Sequence, residues 1–194
     1  MHKLTRADLY SLEQYSEVRP EFRRKVMAHK KDRHVPLGPN ATLMFEDRLT
    51  MQYQIQEMLR IERIFEAQAI QDELDAYNPL IPDGTNWKAT FMVEFPDVEE
   101  RRAALRRLIG IEDRVWVKVN GFEPVYPIAD EDLERDDEEK TSSVHFLRFE
   151  LTPEMIAAAK AGAAISVGVD HELYHHHVDL LPDNVQQSLR ADLD

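Results

Sequence analysis

Apolar residues recur at three-to-four spacing from Leu49 to about Tyr77: Met51, Ile55, Met58, Leu59, Ile61, Ile64, Phe65, Ala69, Ile70 and Leu74. This stripe is wider than a coiled-coil seam, so it predicts one long central helix packed on more than one side. Asn78-Pro79 closes it, because the residue before a proline avoids the α region. A different period marks residues 87–95, where Trp87, Ala89, Phe91, Val93 and Phe95 alternate with Lys88, Thr90 and Glu94. That alternation predicts a strand with one buried face.

The remaining elements follow from turn and cap chemistry. Thr5 with Asp8 resembles a capping box and predicts a first helix over about 6–16. Pro20 suits the first turn of a second helix over about 20–31, with Phe22, Val26 and Met27 as its buried stripe. Residues 34–46 predict a hairpin around Gly38-Pro39-Asn40. After the 87–95 strand, Asp97 with Glu100 starts a helix over about 98–108, Gly110 ends it, and 115–119 is the next strand. The pattern repeats with a strand at 143–151, a helix capped by Thr152 and running to about Lys160, and a strand at 164–169. A turn at about 170–173, a further strand over 174–180 and a short helix from Pro182-Asp183 complete the chain.

These elements make the chain α+β: N-terminal helices and a hairpin, a long central helix, then two β-α-β units expected to form a ferredoxin-like or related mixed sheet. We expect one domain over 1–194, with a helical and hairpin part at 1–80 and a β-α-β part at 87–182 interrupted by an acidic loop at 120–143.

Charge changes the picture. The chain carries net −13, which argues against generic nucleic-acid binding. Residues 130–139 hold eight acids and one Arg, whereas 19–34 hold seven Lys/Arg and two acids. The basic helix with Arg23 and Arg24 is either a solvated face, a partner for the acidic loop of the same chain, or a docking surface for an acidic partner or a nucleic-acid phosphate backbone, the last weakened by the few aromatics interleaved. The acidic loop reads as a mobile, solubilising linker, or as a segment that masks the basic helix.

Candidate chemistry is sparse. With no cysteine, thiolate catalysis, iron–sulfur ligation and disulfides are excluded. There is no glycine-rich phosphate loop and no nucleophile elbow. No apolar run has the length of a membrane span and the N-terminus lacks a signal-like apolar region, so a cytoplasmic protein is expected. On the central helix, Gln52, Gln56, Glu57, Arg60 and Arg63 form a polar set that reads as a solvated face or as a recognition face, with Glu57, Arg60 and Arg63 as anchors for a small molecule. In DHELYHHHVDL, His175 and His177 point the same way on a strand, followed by Asp179 on that face. With Asp170 or His171 across the turn they are candidate ligands for a transition metal; the competing reading is a polar edge strand.

The strings SLEQYSEVRPEFRRKVMAHKKDRHVPLGP, GPNATLMFEDRLTMQYQIQEMLRIERIFEAQAIQDELDAYNPLIP, FMVEFPD and ISVGVDHELY resemble the bacterial domain of unknown function 3501 family, in order and over nearly the whole chain. The resemblance implies a small bacterial protein often encoded beside rubrerythrin-like and iron–sulfur oxidoreductase-like proteins. It implies no catalytic residues. Three functions are therefore expected: a non-catalytic accessory protein docking on a redox or peroxide-defence partner, a metal-binding protein or metal-dependent enzyme using 170–179, or a small-molecule binder at the central helix. No cofactor is expected apart from the candidate metal.

Overall fold

The computed structural model describes residues 2–133, 135 and 139–194. The chain is α+β, with two antiparallel sheets. The first sheet has the order β1 (His34–Pro36), β2 (Ala41–Glu46), β3 (Asn86–Val93), β6 (Val144–Glu150) and β5 (Ile128–Ala129). The second has the order β4 (Val115–Val119), β7 (Ile165–His171) and β8 (Tyr174–Val178). Helices α1 (Leu12–Lys30), α2 (Arg48–Glu62) and α3 (Ala67–Tyr77) belong to the N-terminal half. Helices α4 (Val98–Arg107), α5 (Pro153–Lys160) and α6 (Asp183–Arg190) follow.

Both expected β-α-β units exist, but neither forms a parallel pair in a ferredoxin-like or mixed sheet. Each hands the chain from one sheet to the other: β3 through α4 to β4, and β6 through α5 to β7. The two units then pair strand for strand, β3 antiparallel to β6 and β4 antiparallel to β7. Alternation of apolar residues defines a strand's buried face but not its sheet, which is why the sequence left this open.

One core joins the inner faces of both sheets. Trp87, Ala89, Phe91 and Val93 of β3 and Leu147 and Phe149 of β6 meet Val115, Val117 and Val119 of β4 and Ile165, Val167 and Val169 of β7. Ala159 of α5 and Val185 and Leu189 of α6 close it. The Trp87 indole N–H donates to the Leu189 carbonyl at 2.9 Å, tying α6 to the first sheet. The outer face of that sheet is polar where Glu46, Lys88 and Arg148 lie abreast in register. There Thr50 of α2 and Thr90 of β3 each donate a hydroxyl to Glu46 at 2.6 Å, so the start of α2 is pinned to the sheet.

Two expectations about helices are corrected. The first two helices are one. Ser11 accepts from the Gln14 amide, and the Gln14 side chain returns to the Ser11 N–H, so a capping box at 11–14 starts a helix that runs through Pro20. Pro20 and Ser16 are exposed, so water can take the Ser16 carbonyl that proline leaves without its donor. Thr5 and Asp8 cap only a short 3-10 turn.

The long central helix is instead two. Arg63 adopts φ +55, and the N–H of Ile64 reaches back to the Leu59 carbonyl at 2.9 Å. This left-handed cap turns Ile64 onto the cluster of Met51, Ile55, Leu59 and Leu74. A straight helix of that length would have carried Leu74 roughly 35 Å beyond Met51. A left-handed arginine costs about 1–2 kcal/mol against a residue without Cβ. Arg63→Gly is therefore expected to raise stability by about 0.5–1 kcal/mol, read as a higher urea midpoint at unchanged slope. A lower midpoint would mean that the arginine side chain holds the turn.

The 120–143 stretch is not all loop. Val125 bridges Val117, and β5 pairs with β6. Positions 134 and 136–138 of the acidic run lie outside the described residues. Among the described residues, no helix is long and apolar enough to cross a membrane.

Candidate functional site

The polar face of α2 is turned inward onto the N-terminal segment. Gln56, fully buried, accepts from the Tyr10 N–H at 2.6 Å and donates to the Tyr10 carbonyl at 3.3 Å. Gln52 donates to the Asp8 carbonyl at 2.7 Å. Glu57 is the centre of a seam with α1. It accepts from the Tyr15 hydroxyl at 2.8 Å and from Arg19 through two N–H groups at 2.7 and 2.9 Å. Arg60 reaches the same carboxylate at 3.3 Å. Hydrogen bonds from Arg19 hold the Glu57 carboxyl down at about 2 against the upward push of burial, and Tyr15 and Arg60 add to the effect. Burial and the Glu57 carboxylate both push the Tyr15 phenol upward.

These side chains fasten α1 and Tyr10 to α2. Arg63, expected as a third anchor, spends its position on the left-handed turn. The sequence set was a real cluster whose partners were other parts of the same chain.

The basic surface of α1 is different. Phe22 and Val26 are buried with Tyr15 and Tyr53, while Arg23, Arg24 and Lys25 are exposed, with Lys31 at the C-terminal end of the helix. Among the described residues no ion pair forms at any of these four, although the chain carries 37 acids. Lys30 lies over the Tyr53 ring, 5.7 Å from its centroid. Of the acidic stretch, Asp130 and Asp132 pair with Arg135, and Glu131 pairs with Arg148.

The histidine strand is an edge, β8. His175 and His177 point outward together, their ring centroids 6.2 Å apart and nearly perpendicular. Asp170 lies 3.6 Å from His175, and Asp179 lies 3.3 Å from the other ring of the pair, so each imidazole has its own carboxylate. His171 turns away, accepting from the Leu173 N–H and meeting the Ile109 carbonyl at 3.2 Å. His176 faces the other way and packs on the Tyr174 ring at 4.6 Å. Among the described residues no group of three or more His, Cys, Asp or Glu side chains is gathered for a metal ion.

Two buried clusters were missed from the sequence. In the first, Arg33 is 1% exposed at the end of the basic run. Its guanidinium donates to the carbonyls of Phe45 and Glu46 at 2.8 and 2.9 Å and to the Ser188 hydroxyl at 2.9 Å. It also grips Asp192 at 2.5 and 3.3 Å. Asp47, bonded to His29 at 2.5 Å, lies 3.5 Å away. In the second, His145 is wholly buried between Asp130 at 2.6 Å and the Thr141 hydroxyl at 2.9 Å, with Glu112 3.6 Å away.

The hydroxyl–imidazole–carboxylate order of the second cluster matches an acid–base relay. Here it is sealed in the core, and Asp130 also accepts from the Phe146 N–H, so it locks the end of β5 against β6. One signal was available: His145 stands on the same strand face as Leu147 and Phe149, and a polar residue on an apolar face must find partners.

A family model described as "Protein of unknown function (DUF3501)" matches residues 3–193. A crystal structure at 1.90 Å of a novel protein of unknown function from Burkholderia pseudomallei K96243 is 54% identical, with a TM-score of 0.95 over 100% of both chains. No curated protein matches the chain.

Proposed function

The chain belongs to the DUF3501 family, and from that premise we propose a non-catalytic accessory protein that docks on the acidic surface of a protein partner through the basic ridge of α1. The observation that carries this reading is the group of four exposed cations, Arg23, Arg24, Lys25 and Lys31, at which no ion pair forms among the described residues, in a chain of net −13. Clustered like charges repel, and an acidic partner relieves that repulsion while steering the encounter. The kind of partner follows from the family resemblance: a redox or peroxide-defence protein, rubrerythrin-like or iron–sulfur oxidoreductase-like.

The test is titration of purified partners from the same bacterium by surface plasmon resonance at two salt concentrations. Binding that weakens with salt, and at least about tenfold on the triple reversal Arg23→Glu, Arg24→Glu, Lys25→Glu, is the expected result. Circular dichroism should be unchanged, because the three side chains are exposed and make no internal ion pair. Binding insensitive to the triple reversal, or none to either class of partner, would sink the proposal.

A further inference from the structure

The outer face of the first sheet is left open at one end, between the α3–β3 connection and the stretch after β5. The opening is a cleft of about 250 Å³. Its lining combines apolar surface from Ala76, Tyr77, Leu80 and Phe146 with the charges of Lys88, Arg135, Arg148, Glu131 and Asp132. Arg135 covers one face of the Phe146 ring at 4.7 Å.

Lys88 is the deepest charge. Its side chain is 8% exposed, and it donates to the Pro79 carbonyl at 2.7 Å and to Asp83 at 2.9 Å. An ammonium has three N–H groups, so one remains for the cleft. Burial pushes the Lys88 ammonium towards its neutral form, with Asp83 opposing. A ligand oxyanion would oppose that push further. Arg148 spends three of its five N–H groups on Glu131 and Glu150.

We propose that this cleft binds a small zwitterion of the amino-acid type with an apolar side chain. Its carboxylate would meet Lys88 and Arg148, its ammonium the lone pairs that Glu131 and Asp132 keep beyond those held by Arg148 and Arg135, and its side chain the wall of Tyr77, Leu80 and Phe146. The mixture of charge decides the class. A dianion would meet two carboxylates, whose side chains are half exposed at 50% and 54%. A plain amine would leave the third Lys88 N–H without an acceptor. The volume is below the usual range for drug-sized ligands, which suits a molecule of about a dozen heavy atoms. The inference stands on a different face from the α1 ridge and does not depend on it.

The experiment is ligand-observed saturation-transfer NMR with L-phenylalanine, 3-phenylpropanoate and 2-phenylethylamine on the full chain. Phenylalanine is expected to bind with Kd about 1 mM or tighter, and each analogue at least about tenfold more weakly. Lys88→Met should abolish binding. Because that lysine also holds Pro79 and Asp83, Ala76→Trp provides an independent variant: Ala76 is exposed on α3 and lines the cleft, so the fold should persist while the space beside Tyr77 is filled. No signal from phenylalanine at about 10 mM overturns the proposal. So does equal binding of either analogue, or binding unchanged in Ala76→Trp.

Discussion

Arg33→Met is expected to destabilise the fold by about 3–5 kcal/mol at pH 7–8, measured by urea unfolding. The guanidinium satisfies two backbone carbonyls, a hydroxyl and a carboxylate in a site only 1% exposed. Burial lowers the pKa of Arg33, and the carboxylates of Asp192 and Asp47 more than reverse that, so it stays charged. Its partner is in the harder position. Burial lifts the Asp192 carboxyl to about 6 even with the cation in contact.

Without Arg33, Asp192 must either stay charged without compensation or take up a proton. The cost of the substitution should therefore shrink as pH falls from 8 to 5, since protonation removes the stranded charge. The double variant Arg33→Met with Asp192→Leu should recover much of the loss, because replacing both partners of a buried pair by apolar groups is often close to neutral. A double variant no more stable than the single would mean that the carbonyl contacts, rather than the stranded carboxylate, set the cost.

Arg33 also shows why part of the molecule was hidden in the sequence. It sits in a run of seven Lys/Arg over 19–34 and reads as one more surface charge. What separates it from Arg23 and Arg24 is Asp192, which lies 159 positions away. Local chemistry was legible: the alternation of β3, the β4 boundaries, and the caps at Asp97 and Thr152 are as the residue pattern predicts.

The long-range decisions were not legible. Whether 49–77 is one helix or two depends on whether Ile64 finds Leu59 and Leu74 beneath it, and an arginine in place of glycine at the turn hides the break. Whether Gln56 is a recognition residue or a fastener depends on Tyr10, 46 positions earlier. The polar side chains of α2 reach residues of the N-terminal segment that are distant in sequence. On the ridge of α1, by contrast, no ion pair forms at Arg23, Arg24, Lys25 or Lys31 among the described residues.

The second large effect concerns Glu57. With Arg19 and Tyr15 on its carboxylate, its pKa falls from 4.5 to about 2. A depressed carboxyl contributes stability that is fully present above the unfolded value of 4.5 and is lost as pH falls through about 2. The side chain is 15% exposed, so solvent takes only part of this, and about 2–3 kcal/mol is expected at pH 7. Glu57→Gln keeps an oxygen for the Tyr15 hydroxyl but removes the charge that Arg19 needs. The stability gap between wild type and Glu57→Gln should therefore be widest at pH 7, narrow below pH 4.5 and nearly vanish by pH 2. Urea titrations at pH 7, 5 and 3 measure it. A gap that stays constant with pH would mean that Glu57 acts by shape and hydrogen bonding alone, and that the ion pair with Arg19 does not fasten α1 to α2.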